Sequence, residues 1–144
     1  MLVDNRTGIE VIDRRECLAL LASEDFGRIG ILEGGSPLVL PVNYALDGEA
    51  IILRSGEGSK LAAARRTSAC FEIDGHDGDR HEGWSVVARG RLEEVSPYEG
   101  PALERLAALA HPWADGDRSH VLRLVIASVQ GRRVRPRPDP RPAT

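Results

Sequence analysis

Lysine is almost absent from this chain of 144 residues: Lys60 is the single lysine, and the other 18 basic residues are arginines. The net charge of −3 leaves no basic excess of the kind that general nucleic-acid binding requires. No apolar run is long enough for a membrane span, and residues 1–10 lack the basic and apolar parts of a signal peptide. The chain is therefore predicted to be cytoplasmic and to bind neither nucleic acid nor membrane.

Cysteine is scarce as well, which excludes a disulfide framework. Cys17 and Cys70 each lie in an apolar segment and are predicted to be small buried side chains. Residues 75–83 contain His76 and His81 with three acidic residues, but they lack the spacing of a zinc-binding helix or of an EF-hand calcium loop. We therefore predict a solvated turn there and no metal site.

The length and the hydrophobic content of 42% fit one globular domain with a substantial core. We assign this domain to residues 1–131. Residues 132–144 are rich in arginine and proline and have too few apolar side chains to pack, so they are predicted to form a disordered tail.

Alternating apolar residues predict six strands, over residues 26–32, 36–46, 51–53, 69–74, 84–95 and 120–129. Asp13 and Glu16 have the spacing of a capping box before a helix over about residues 14–24. Two further helices are predicted over 59–66 and 96–110. The hairpin spacing and glycine bends favour a mostly antiparallel barrel. So small a barrel leaves little interior room, and a large cofactor would lie outside it, at a site completed by a second subunit.

The strongest chemical signal lies in residues 41–61. Pro41 inside a predicted strand indicates an edge or a bulge, and Asp47-Gly48 is typical of a hairpin turn with positive φ at both central residues. The next loop, from Arg54 to Lys60, combines two cations with serines, glycines and the start of a helix, which together suit a phosphate. It matches neither the Walker nor the dinucleotide pattern, so an ordinary polar connection is the alternative.

The order of these features resembles the pyridoxamine 5′-phosphate oxidase-like family, the FMN-binding split barrels. The resemblance spans about residues 17–132. It rests on five short segments in this order: Gly27-Arg28-Ile29, Pro41-Val42-Asn43-Tyr44, Leu53-Arg54-Ser55, Gly58-Ser59-Lys60 and residues 84–92.

The resemblance implies a six-stranded antiparallel split β-barrel that forms a homodimer with FMN between the subunits. In that arrangement the phosphate contacts would come from Arg54, Ser55, Ser59 and Lys60. The ring system and ribityl chain would lie along residues 41–44, and the isoalloxazine would face residues 84–86. The full cofactor-binding set implied by the family is Pro41, Val42, Asn43, Tyr44, Leu53, Arg54, Ser55, Ser59, Lys60, Trp84, Ser85 and Val86.

The chain departs from the oxidase that gives the family its name. That enzyme ends in a segment that recognises pyridoxal phosphate, and Trp113 and Arg118 match that segment only loosely. This chain is also shorter than that enzyme. The weaker hypothesis for these two residues is that they reach across a dimer to the flavin. Oxidation of pyridoxamine phosphate is therefore not expected, whereas flavin binding is.

Three functional classes remain open. The first is an FMN-dependent oxidoreductase that acts on an unidentified small molecule, for which no catalytic residue is assigned. The second is a deazaflavin-dependent reductase, whose more acidic cofactor would need further basic residues such as Arg28 or Arg89. The third is a flavin or haem carrier without enzymatic activity. Haem would require an axial ligand from the four histidines, which are His76, His81, His111 and His120.

Overall fold

The structure, a computed structural model, describes residues 2–4, 7–56, 58–114, 116 and 118–136. Nine strands lie in this part of the chain: β1 (Leu2–Asp4), β2 (Ile9–Ile12), β3 (Phe26–Glu33), β4 (Ser36–Asn43), β5 (Ala45–Asp47), β6 (Ala50–Ser55), β7 (Ser68–Asp77), β8 (Glu82–Glu94) and β9 (His120–Val134). The helices are α1 (Arg14–Ser23), α2 (Lys60–Ala63) and α3 (Pro101–Leu109), with a 3₁₀ turn over Pro97–Glu99. None of these helices is long and apolar enough to cross a membrane.

All strand pairs are antiparallel, and the sheet runs in the order β1-β2-β9-β8-β7-β3-β4. Strand β9 pairs with β8 along most of its length. On its other edge it pairs first with β6, over residues 120–125, and then with β2, over residues 131–134. This exchange of neighbours curls the sheet into a split barrel, and the predicted fold class is confirmed.

The predicted count of six strands is wrong. The expected strand over 36–46 breaks at Tyr44, whose N–H donates to the carbonyl oxygen of Asp25 (3.0 Å) and so leaves the strand ladder. The two short N-terminal strands are the other addition. They lack an alternating pattern of their own and are stabilised by pairing, since β2 pairs with the end of β9 and β1 pairs with β2.

Helix α1 confirms the prediction over residues 14–24, because Asp13 Oδ1 accepts the N–H of Glu16 at 2.8 Å. The reciprocal half of the predicted capping box is replaced by a long-range ion pair, in which Arg133 Nη2 lies 2.7 Å from Glu16 Oε1. Arg133 belongs to β9, so residues 132–134 are strand and not the predicted tail. Residues 137–144 lie outside the described part of the chain.

The hairpin between β5 and β6 also differs from its prediction. Asp47 pairs with Ala50, so the two central residues are Gly48 and Glu49. Gly48 has φ of 59°, whereas Glu49 is not among the described residues with positive φ. The turn therefore has the type II′ pattern, in which only the first central residue needs the left-handed region.

Buried side chains form two clusters. The larger fills the barrel and includes Phe71, whose ring meets that of Tyr44 edge-on with centroids 4.7 Å apart. The smaller seats α3 against the outer face of β6 and β9 through Leu106 and Ile52. Cys17 is buried as predicted, but Cys70 is exposed because it alternates with the inward-facing Phe71 on β7.

Arg28 on β3 bridges two carboxylates of the adjacent strand β7. Its Nη1 lies 3.1 Å from both Glu72 Oε1 and Asp74 Oδ2. Partial burial, followed by the hydrogen bond and the charge of Asp74, raises the pKa of Glu72 to about 7, against the opposing effect of Arg28. Two acids therefore share one arginine, and the proton on Glu72 contributes to the stability of the folded state at acidic pH.

A glycine inside the predicted strand over residues 84–95 indicates a bulge or bend at Gly90, and the structure confirms a register shift there, with the extra residue on the facing strand β9. Arg89 faces Ser128 and Gly90 faces Ile126, so Ala127 on β9 has no opposite residue. A Cβ added at Gly90 would lie 1.8 Å from the carbonyl oxygen of Val125. Only a residue without a side chain lets the two backbones approach this closely.

Gly90→Ala is expected to lower the free energy of unfolding by about 3 kcal/mol, because backbone on the two central strands must separate to admit the methyl group. Urea unfolding followed by tryptophan fluorescence measures the change. Gly78→Ala is the matched control, since a Cβ there has no neighbour within 4 Å. Equal stability of the two variants would contradict the assigned role of Gly90.

Glu72→Gln is expected to flatten the pH dependence of stability. Folding raises the pKa of Glu72 from 4.5 to about 7, so the folded state holds the extra proton and the wild type loses stability as pH rises between these values. The loss should be about 1–2 kcal/mol after solvent screening, and glutamine removes it. Urea unfolding at pH 5 and pH 8 tests this, with Glu104→Gln on exposed α3 as the control. An unchanged slope in Glu72→Gln would refute the assignment.

Candidate functional site

A cleft of about 550 Å³ opens where the ends of β4 and β6 meet the segment that leads into β9. Its wall from β4 is largely apolar, and its wall from β6 and the following loop is polar. The residues that line it are Leu40, Pro41, Val42, Asn43, Arg54, Ser55, Gly56, Ser59, Leu61, Pro112, Ala114 and Arg118. Six of the twelve residues predicted to bind a cofactor are therefore brought together: Pro41, Val42, Asn43, Arg54, Ser55 and Ser59.

Ser55 is the last residue of β6 and is only 4% exposed. Its Oγ is buried and has no hydrogen-bond partner among the described residues. A buried hydroxyl without a partner carries a desolvation cost of about 1–3 kcal/mol. Such a cost at the bottom of a cleft indicates that a ligand atom completes the site.

Arg54 reaches the same cleft and is held by the opposite wall. Its Nε donates a hydrogen bond to the carbonyl oxygen of Arg118 at 3.0 Å. The bond connects the end of β6 to the segment before β9, so the guanidinium is positioned by main chain. A planar guanidinium held in this way is suited to a phosphate or carboxylate.

Ser59 lies just before α2, and its Oγ accepts the N–H of Ala62 at 3.0 Å. This bond leaves the hydroxyl hydrogen of Ser59 for a ligand acceptor in the cleft. Helix α2 has only four residues, fewer than the predicted helix over 59–66, so the helix start next to Ser59 carries only a small dipole. The side chain of Lys60, which was predicted to contact phosphate, lies outside the described part of the structure.

Asn43 joins both walls at the other end of the cleft. Its Nδ2 donates to the carbonyl oxygen of Asp25 at 3.3 Å, and its Oδ1 accepts the N–H of Trp113 at 2.9 Å. The ring of Trp113 stacks on Phe26 with centroids 5.2 Å apart and planes 6° apart. These contacts hold residues 112–114 over the cleft without help from regular secondary structure.

Three of the predicted cofactor-binding residues face the barrel core instead of the cleft. Tyr44, Leu53 and Val86 are at most 2% exposed. The hydroxyl of Tyr44 donates to the carbonyl oxygen of Leu21, and burial raises its pKa well above the ordinary value. Strand alternation explains the burial of Leu53 and Val86, which lie within β6 and β8, whereas Tyr44 turns inward at the break between β4 and β5. A cofactor contact from these three residues would therefore come from their main chain, and their role in binding stays a prediction.

Trp84 and Ser85 lie in a different groove, together with Gly75, His76 and Arg132. Strand β9 explains the separation, since Ser55 pairs with His120 at its start and Trp84 pairs with Arg133 near its end. Thirteen residues of extended chain span about 40 Å along the strand. Within one chain, Trp84 and Ser55 therefore do not line the same cavity.

The histidines offer no metal centre within the described residues, which contain no group of three or more potential ligands. His81 lies in the turn after β7, where Asp77 Oδ1 accepts the N–H groups of Asp79 and Arg80. His120, the strand partner of Ser55, has its Nδ1 2.5 Å from Glu94 Oε1.

The basic residues considered for a deazaflavin do not line the cleft. Arg28 is engaged by Glu72 and Asp74, and Arg89 lines a separate groove. Arg118, by contrast, belongs to the cleft of its own chain. Sequence spacing gave only a weak signal for Arg118, because it lies in an irregular segment that is placed by Asn43 and Arg54.

The family model for pyridoxamine 5′-phosphate oxidase matches residues 13–133. An uncharacterized protein of Mycobacterium tuberculosis is 35% identical over 129 residues, which cover 85% of this chain and 84% of the relative. The structure of an FAD-binding protein from Mycobacterium smegmatis superposes with a TM-score of 0.72 at 29% identity, over 87% of this chain and 98% of that one. An FAD-binding protein from Mesorhizobium loti gives a TM-score of 0.72 at 26% identity, over 88% and 98% of the two chains.

The family match covers all of the sheet from β3 to β8 and nearly all of β9. It also includes every residue of the cleft described above. The resemblance found in the sequence is therefore confirmed, and the chain belongs to the pyridoxamine 5′-phosphate oxidase family.

Proposed function

We propose that this protein is a flavoprotein that binds the flavin 5′-phosphate group, common to FMN and FAD, between Arg54, Ser55 and Ser59. The observation that carries the proposal is the buried Oγ of Ser55, which has no partner among the described residues at the bottom of a cleft also lined by a guanidinium. A phosphate oxygen accepts hydrogen bonds from both groups. The FAD-binding proteins of similar structure support the same class of cofactor.

The rest of the cleft suits the flavin portion beyond the phosphate. Leu40, Pro41 and Val42 form an apolar wall, which matches a flat ring system better than a second anion. The amide nitrogen and the amide oxygen of Asn43 both form hydrogen bonds within the protein, so Asn43 orients this wall. The bound flavin would supply transfer of a hydride or of electrons. The protein would bind the flavin, orient it and admit an unidentified small-molecule substrate.

The proposal includes a homodimer. Trp84 and Ser85 were expected to face the isoalloxazine, yet they lie toward the opposite end of β9 from Ser55. A second copy of the chain is the simplest way to bring such residues to the same cofactor. We also propose the cytoplasmic location that the sequence predicts.

Arg54→Ala is expected to weaken flavin binding by about 10–100-fold through loss of a charge-assisted hydrogen bond. Ser55→Ala should weaken it by about fivefold and yet leave the flavin-free protein equally stable or more stable, since a buried unpaired hydroxyl is removed. Flavin absorbance and fluorescence titration measure affinity, and urea unfolding measures stability. Arg80→Ala, at an exposed turn, is the control.

The absorbance spectrum also separates the alternative cofactors. Tight deazaflavin binding without binding of FMN or FAD would replace the proposal by the deazaflavin reductase, and a Soret band after addition of haemin would replace it by a haem protein. If Ser55→Ala loses stability and keeps full flavin affinity, the hydroxyl has a structural role and the phosphate assignment is wrong.

A mixed dimer tests the contribution of the partner subunit. Arg54→Ala and Trp84→Ala should each bind flavin weakly as homodimers, while their co-expressed heterodimer should recover one intact site in two. Light scattering should give twice the chain mass of 15.7 kDa. A monomer mass, or a heterodimer that binds no better than either parent, would contradict shared sites.

A further inference from the structure

We propose that the site prefers FAD to FMN, because a second cavity beyond Ser59 accepts the adenylate half of FAD. This inference rests on the proposed flavin function and specifies which flavin the protein holds. It begins from Ser59, which lines both the cleft and a neighbouring cavity of about 310 Å³. Ser59 therefore separates two neighbouring cavities, and it is one of the residues proposed to bind the flavin phosphate.

The second cavity is lined by Gly58, Ser59, Ala62, Arg65 and Arg66. Its volume lies at the lower end of the range for small-molecule sites, about 300–1,000 Å³. Two of its five lining residues are arginines, and none of its described lining residues is acidic. This composition suits an anionic group followed by a flat heterocycle, because guanidinium groups bind phosphate and also stack on aromatic rings.

The two arginines are held in different ways. Arg65 Nη1 lies 3.6 Å from Glu94 Oε2, a contact that restrains its side chain on the side of the cavity toward β8. Arg66 has φ of 69°, which is uncommon for a residue with a side chain. Its N–H donates to the carbonyl oxygen of Leu92 at 2.6 Å, and the N–H of Leu92 donates to the carbonyl oxygen of Thr67 at 2.9 Å. The main chain at Arg66 is thus fixed to a core strand.

FMN and FAD make different demands on this arrangement. The phosphate of FMN ends the molecule, so FMN would use Arg54, Ser55 and Ser59 and leave the second cavity without a role. FAD continues from the same position with a second phosphate and adenosine, for which the neighbouring cavity offers Arg65 and Arg66. The second cavity therefore favours the dinucleotide.

The test compares the affinities of FAD and FMN for the flavin-free protein by fluorescence titration. Wild type is expected to bind FAD about tenfold tighter than FMN. Arg66→Asn should weaken FAD by about tenfold and change FMN by less than twofold. Asparagine is chosen because it tolerates positive φ, so the fold of this segment is retained. Arg80→Asn, at the exposed turn after β7, should change neither affinity.

Equal affinity of wild type for the two flavins would overturn the preference, and so would an equal loss of both in Arg66→Asn. Binding of FMN alone would overturn this inference and leave the proposed function intact. Binding of neither flavin would remove the proposed function itself. ADP provides an independent probe, because it should compete with FAD in wild type, and failure to compete would also count against the adenylate site.

Discussion

The structure depends on the pairing of β9 with three other strands. This strand is buried between β8 on one edge and first β6, then β2, on the other. The early part of β9 positions Ser55 and Arg54, which pair with His120 and Val121. The late part positions Trp84 and anchors α1 through Arg133. Strand β9 thus determines where both ends of the barrel present polar groups. Loss of its hydrogen bonds to the neighbouring strands would remove the site together with the fold.

The cleft illustrates how a small barrel accommodates function without a large interior. Its walls are held by hydrogen bonds to main chain: Arg54 donates to the carbonyl oxygen of Arg118, and Asn43 donates to that of Asp25 and accepts the N–H of Trp113. Among the described residues of the cleft, Ser55 Oγ is the one buried side-chain polar atom without a hydrogen-bond partner. Hydrogen bonds to main chain position the side chains around that atom, so the desolvation cost lies at a single buried position, where a ligand would recover it.

Much of this arrangement could be predicted from local sequence. The helix cap at Asp13, the bulge at Gly90 and the cluster of Arg54, Ser55 and Ser59 are short-range signals, and the structure places that cluster in one cleft. What local sequence could not supply is which face of a strand points inward. Leu53 and Val86 belong to the barrel interior because strand alternation is set by tertiary pairing, which no window of a few residues contains. The separation of Trp84 from Ser55 likewise follows from the register of β9 alone.

The bulge opposite Gly90 changes which residues of β9 face the barrel interior. Before it, the inward residues of β9 are Leu122, Leu124 and Ile126, and after it the buried position is Gly131, so the alternation changes parity at Ala127. Even-numbered residues of β9 therefore face inward before the bulge, and odd-numbered residues face inward after it. Substitutions and length changes can accumulate in the half that carries the Trp84 groove without rotating the half that holds Ser55. The face that β9 presents beside the Trp84 groove is therefore set independently of the face that it presents beside Ser55.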